Sequence, residues 1–198
     1  MSIDEIKGKL QQILSTKRFT HSIMVMEAAV QLAHKYGGDV EKAALSGLIH
    51  DCAKELAPEV TFDLCHKHGI VVDEIMRKQP KLLHGMVGSY FARDMFEVNC
   101  PDVLSAVADH TMGRPGMDKL ACIVFVADYI EATRDFPGVD EIREAAQQSL
   151  EMAILTGIDR SIAGILDKRE LLHPRTVETR NWALNMLESG KAAGRITL

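Results

Sequence analysis

Cysteine is scarce in this 198-residue chain, and its four residues, Cys52, Cys65, Cys100 and Cys122, form no Cys-x-x-Cys pair. That spacing excludes a thiolate zinc knuckle and a dithiol redox motif, so the four read as small buried apolar residues of a reduced, cytoplasmic protein. Basic charge is also short, with 23 Lys and Arg against 28 Asp and Glu and a net charge of -5. Broad electrostatic attraction to nucleic acid or an anionic membrane is therefore excluded, and any anionic ligand has to be met by local cations. No stretch approaches the roughly 18 uninterrupted apolar residues of a membrane helix, and the first residues lack a basic patch followed by an apolar run. Aromatics make up only 5%, and strand-like alternation is nearly absent.

What is present is helical periodicity. Ile3, Ile6, Leu10, Ile13 and Leu14, and likewise Ile23, Met26, Val30 and Ala33, recur at the spacing of one helix face. Gly37-Gly38 can stop a helix, Asp39 can cap the next, and Pro58 and Pro101 suit first-turn positions. Further helices are expected over 82–96, 102–110, 118–129, 140–155, 158–171 and 174–188. The fold class is all-α. With 46% hydrophobic residues and no repeat or long linker, one domain over 1–189 is expected, followed by a frayed tail over 190–198. Ala-rich C-terminal helices leave room for a homodimer patch.

The chemistry is carried by histidines and aspartates set within apolar helical segments. His50-Asp51 ends the run Ala43-Ala44-Leu45-Ser46-Gly47-Leu48-Ile49, and Asp128 follows Val124-Phe125-Val126-Ala127. His21, His84 and His110 have comparable settings. Each alone is adequately explained as a satisfied core residue. Adjacent His50 and Asp51 are more telling, because neighbouring helical residues point about 100° apart and converge on one centre only at a helix end or widened turn. A buried carboxylate without a partner costs several kcal/mol, which coordination to a cation offsets. Four imidazoles and two carboxylates suit iron, manganese or zinc better than magnesium or calcium. His34, His66 and His68 read as solvated, and His173 as a loop or cap residue before a helix start.

The ordered set His21, His50-Asp51, His84, His110 and Asp128 resembles the HD phosphohydrolase superfamily. Arg18-x-x-His21-Ser22, His50-Asp51-x-Ala53-Lys54, His110-Thr111-x-Gly113-Arg114-Pro115-Gly116-Met117, Ala127-Asp128-Tyr129-Ile130-Glu131-x-x-Arg134 and Phe136-Pro137-Gly138-Val139-Asp140 are similar to its YqeK branch, over about residues 10–185. The resemblance implies an HD-domain helical bundle around a two-metal, iron-type centre, with manganese or zinc as alternatives. It also implies symmetrical hydrolysis of diadenosine tetraphosphate to two ADP. By the same resemblance His21, His50, Asp51 and Asp128 hold one ion, His84 and His110 the other, and Asp51 bridges. Met112, Cys52 and Ala132 depart from the common pattern without touching these positions.

Two cations so held activate water for attack at an inner phosphorus, so no Ser or Cys nucleophile is needed. Asp51, Lys54 and Arg114 are the candidate catalytic residues. Arg18, Lys54, Thr111, Arg114 and Arg134 are the candidate contacts to the dinucleoside polyphosphate, with Lys54 and Arg114 meeting the charge of the departing diphosphate. Arg18 has the alternative role of orienting a ligand, and Arg134 and Arg143 the alternative of pairing with Glu131 and Glu144. Another HD activity, nucleotidase or phosphodiesterase, is the nearest alternative, and a non-catalytic signalling module the more distant one.

Overall fold

The computed structural model describes the backbone of residues 1–194 and the side chains of residues 1–189. Among the described residues there are eleven α-helices and no strand. They are α1 (Ile3–Ile13), α2 (Thr16–Tyr36), α3 (Val40–Ile49), α4 (Pro58–Lys67), α5 (Glu74–Lys78), α6 (His84–Phe96), α7 (Pro101–Asp109), α8 (Lys119–Ile130), α9 (Val139–Gln148), α10 (Leu150–Asp167) and α11 (Pro174–Gly194). A short 3-10 segment, Pro80–Leu83, leads into α6.

Local chemistry sets most of the boundaries. Ser2 and Glu5 form a reciprocal capping box on α1, and the side chains of Asp39, Asp118 and Ser149 accept from the third backbone N–H of α3, α8 and α10. Pro58 and Pro101 occupy first-turn positions, and Gly37 closes α2 in the left-handed conformation. One expected boundary is wrong. The break lies at Ser149, where the backbone is extended, and α10 then runs unbroken through Gly157. Gly157 has a packing role there: a Cβ would lie 3.0 Å from the Tyr129 ring. The expected tail is helical as far as Gly194, and its remainder lies outside the described residues.

α8 is the axis of the core. Leu120 to Ala127 are buried in unbroken succession, the mark of a helix that is apolar all round. α2, α3, α7, α9 and α10 pack around it. At roughly 1.5–3 kcal/mol per buried large side chain, Ile123, Val124 and Phe125 alone fix its position firmly. The close approach of α3 to α2 requires Gly47, since a Cβ would meet the Met26 Cα at 2.9 Å. A smaller cluster of Ala53, Cys65, Met76, Leu83, Val87 and Met112 fills the space beneath α4 and α5. Cys52, Cys65 and Cys122 are buried as expected, whereas Cys100 is only half-buried. His68 departs from its expected solvated setting: its ring stacks on Tyr90 at 4.4 Å and its side chain is largely buried.

Candidate metal centre

Three of the six candidate ligands sit at helix junctions. His50 caps the C-terminus of α3, His110 caps that of α7, and His84 joins the 3-10 segment to α6. In each the ring Nδ1 faces the backbone carbonyl three residues earlier: Gly47 O at 2.7 Å, Lys81 O at 2.5 Å and Val107 O at 2.7 Å. A carbonyl can only accept, so Nδ1 carries the proton and Nε2 presents a lone pair. His21, in the second turn of α2, has Glu131 Oε1 at 3.0 Å from Nδ1 and is oriented by the same logic. After His50 the chain leaves α3 through i to i+3 turns, with Cys52 N donating to Ile49 O and Lys54 N to Asp51 O. That exit from the helix lets His50 and Asp51 face one centre.

The four Nε2 atoms converge. His21 and His50 approach to 3.2 Å and His84 and His110 to 2.9 Å, nitrogen to nitrogen. Asp51 lies between the pairs: Oδ2 is 3.6 Å from His21 and 3.4 Å from His50, while Oδ1 is 3.1 Å from His84 and 3.4 Å from His110. Asp128 Oδ1 is 3.0 Å from His21 Nε2 and 3.7 Å from His50 Nε2. Apart from Asp128, which opens to a cavity, all these side chains are buried. Lone pairs facing one another at contact distance repel, and Asp51 Oδ1 is a buried acceptor without a hydrogen-bond partner among the described residues. Cations reconcile both facts, and the donor set fits transition metals. The ligating atoms fall into three overlapping groups, His21/His50/Asp51, His50/His110/Asp128 and Asp51/His84/His110.

The surroundings tune charge. Burial opposes ionisation of Asp51 and Asp128, yet both carboxyls are held well below the usual range by positive charge and hydrogen-bond donors at the site, which the imidazoles supply when protonated and Arg134 adds at Asp128. Burial lowers the His84 pKa to about 4 and pushes that of the Lys54 ammonium down, against the pull of Asp51 and Asp128. Arg18 Nη1 donates to Asp51 Oδ2 at 2.6 Å, so Arg18 steers the carboxylate. Lys54 Nζ lies 3.0 Å from His84 Nε2, and Thr111 Oγ1 lies 3.1 Å from the same nitrogen. Arg134 donates through Nε to the Asp128 backbone carbonyl at 2.7 Å and through Nη2 to its carboxylate.

Lys54, Thr111, Arg134, His84, His110 and Asp128 all line one cavity of about 320 Å3. Arg114 is not among its lining residues. Its Nε donates to Asp109 Oδ2 at 2.8 Å, Nη1 to Gly116 O at 3.0 Å and Nη2 to Ser105 Oγ at 3.3 Å. Arg143 is likewise engaged, with the backbone carbonyls of Ile130, Glu131 and Arg134. His173 caps α11, accepting from Arg175 N and meeting Asp73 Oδ2 at 2.7 Å. Glu131 pairs with Arg134 Nε at 3.9 Å as expected, and it has closer partners as well: it is 1% exposed, meets His21, and accepts from the backbone N–H and hydroxyl of Thr133. Its position three residues after Asp128 was the available signal. Arg160 and Ser161 also line the cavity, and no motif announced them.

A family pattern described as HD domain matches residues 18–133. A Bacillus subtilis protein named bis(5'-nucleosyl)-tetraphosphatase, symmetrical, is 34% identical over 93% of this chain and 99% of its own length. A protein of the same name from Halalkalibacterium halodurans is 37% identical over 90% of this chain and 97% of its own. A crystal structure from Clostridium acetobutylicum, described as a predicted HD superfamily hydrolase involved in NAD metabolism, superposes with a TM-score of 0.91 at 41% identity. It covers 94% of this chain and 98% of that one.

Proposed function

Because the chain belongs to the HD-domain family, in the group of the symmetrical bis(5'-nucleosyl)-tetraphosphatases, we propose that it is a metal-dependent hydrolase that cleaves diadenosine tetraphosphate into two molecules of ADP. The observation that carries this reading is the convergence of four imidazole lone pairs on the two oxygens of Asp51, beside a cavity lined by Lys54, Arg134 and Arg160. His21, His50, Asp128 and Asp51 Oδ2 would hold one ion, and His84, His110 and Asp51 Oδ1 the other. Nitrogen-rich borderline donors disfavour magnesium and calcium; iron at both positions is what the family resemblance implies, with manganese or zinc as the alternatives. Bound there, the ions supply Lewis-acid polarisation of phosphoryl oxygens and lower the pKa of water.

The side chains supply position and charge. Arg18 holds Asp51 between the two histidine pairs, Glu131 fixes the His21 ring, and Arg134 fixes Asp128. In hydrolysis the oxygen of water bonds to an inner phosphorus while the bond from that phosphorus to the central bridging oxygen breaks. Each product keeps two phosphates. The departing diphosphate is weakly basic and needs no proton from a side chain, provided a cation meets it, and Lys54 is placed to do so. The same reading puts the protein in the cytoplasm, where its four free cysteines stay reduced. Among the described residues no helix is long and apolar enough to cross a membrane.

The test is to incubate metal-replete protein with dinucleoside polyphosphates, mononucleotides and cyclic dinucleotides and to resolve the products by chromatography. ADP as the sole product from diadenosine tetraphosphate is expected. AMP with ATP, or turnover confined to mononucleotides or cyclic dinucleotides, would overturn the reading.

A further inference from the structure

Next to the metal-facing cavity a second groove, of about 680 Å3, runs along the outer face of α10. The two share Phe136, Pro137, Arg160 and Ser161 and are therefore continuous around one lip. Pockets for drug-sized ligands span roughly 300–1,000 Å3. A cavity of about 320 Å3 suits one half of a dinucleoside tetraphosphate, so the other half needs a compartment of its own.

The lip carries the chemistry for such a half. Arg160 Nε donates to Glu141 Oε2 at 2.9 Å and Nη2 meets the same oxygen, which leaves Nη1 without a hydrogen-bond partner among the described residues. Its aliphatic stem crosses Gly138 so closely that a Cβ there would come within 2.9 Å of Cδ. The guanidinium is thus held at the junction of cavity and groove, balanced by one carboxylate that a more highly charged phosphate can displace. Phe136 and Pro137 give the lip an apolar wall, and past it the groove is lined by Ala163, Gly164 and Ile165 and ends at Asp167 and Lys168. A flat base fits the apolar wall and ribose hydroxyls the charged end.

We propose that the α10 groove seats the half of the substrate that departs as ADP, with Arg160 gripping the leaving diphosphate at the lip and Phe136 and Pro137 flanking the nucleoside. This rests on the tetraphosphatase reading above. It makes Arg160 a substrate-binding residue and gives product ADP a site at which to compete.

Gly164 provides the test. It lines the groove from the surface of α10, and an added Cβ would meet nothing within 4 Å. A large side chain there obstructs the groove while leaving the core untouched, and replacing a helical glycine favours the helix. Gly164→Trp is expected to keep wild-type metal content and melting temperature. Its KM for diadenosine tetraphosphate should rise at least tenfold, and its inhibition constant for ADP should weaken to match. Arg160→Met, which removes the grip without touching Gly164, is expected to raise the same KM at least tenfold with metal content unchanged. A KM within twofold of wild type in both variants would overturn the proposal. Wild-type protein that leaves diadenosine tetraphosphate intact would instead overturn the tetraphosphatase reading, and this inference with it.

Discussion

On one side of the cage His21 and His50 face Asp128 and Asp51 Oδ2, and a further buried carboxylate, Glu131, stands behind His21. On the other side His84 and His110 face Asp51 Oδ1 alone, with the Lys54 ammonium 3.0 Å from His84. The first side has one more donor, Asp128, and its two additional carboxylates are partly offset by Arg18 at Asp51 Oδ2 and Arg134 at Asp128, whereas the second side has no carboxylate of its own among the described residues and carries Lys54. With four protein donors against three, and the positive side chain of the second side at contact distance from its histidine, the acid-rich side is expected to be the stronger cation site. The other side, where Lys54 and Thr111 join the two histidines on the cavity wall, is the one the proposed reaction assigns to the phosphate.

Asp51 belongs to both sides, so its removal tests the comparison most severely. Asp51→Ala is expected to lose both ions by elemental analysis and to lose activity on the order of 10^3-fold. His84→Ala separates the sides: one equivalent of metal should stay bound and turnover should fall about a hundredfold. Retention of both ions would break the comparison. Glu131→Gln keeps the shape and removes the charge behind His21. Chelator competition should then show metal affinity weakened roughly 10–100-fold on the acid-rich side only. Lys54→Met should retain both metals and lose about tenfold in kcat/KM, a deficit of about 1.4 kcal/mol in transition-state stabilisation.

The smallest effect is reserved for Arg114, which lies outside this contrast. Asp109 is buried and its pKa is raised by desolvation despite Arg114, so the pair holds the turn after α7. Arg114→Met is expected to destabilise the fold by about 1–2 kcal/mol, read from chemical denaturation, and to leave kcat/KM within twofold.

Much of this was legible before any coordinates. A charged residue ending an apolar helix requires a partner, and His50-Asp51, His110 and Asp128 all carried that signal, as did the all-helical periodicity. Arg114 was misleading for a physical reason. Gly-Arg-Pro-Gly has the glycines of a phosphate-binding turn, but the cation is taken by Asp109 five residues earlier, and the burial of Asp109 is a tertiary fact. Glu131 was obscured by Arg134 and Arg143, whose presence nearby suggested ordinary pairing; the Arg134 pair is there at 3.9 Å, but the closer contacts of Glu131 are to Thr133 and to His21, which only the fold brings to it. Arg160 could not be found by pattern, because it reaches the cavity through the packing of α10 against α8 and α9. The break at Ser149 was missed because its capping side chain outweighs the glycine at 157.

Anomalous diffraction from metal-loaded crystals of the full chain is the most direct test of the cage. Two peaks are expected, each about 2.0–2.2 Å from its ligating nitrogens and oxygens, one against His21, His50 and Asp128, one against His84 and His110, with an Asp51 oxygen on each. A single peak, or peaks away from these six side chains, would contradict the account.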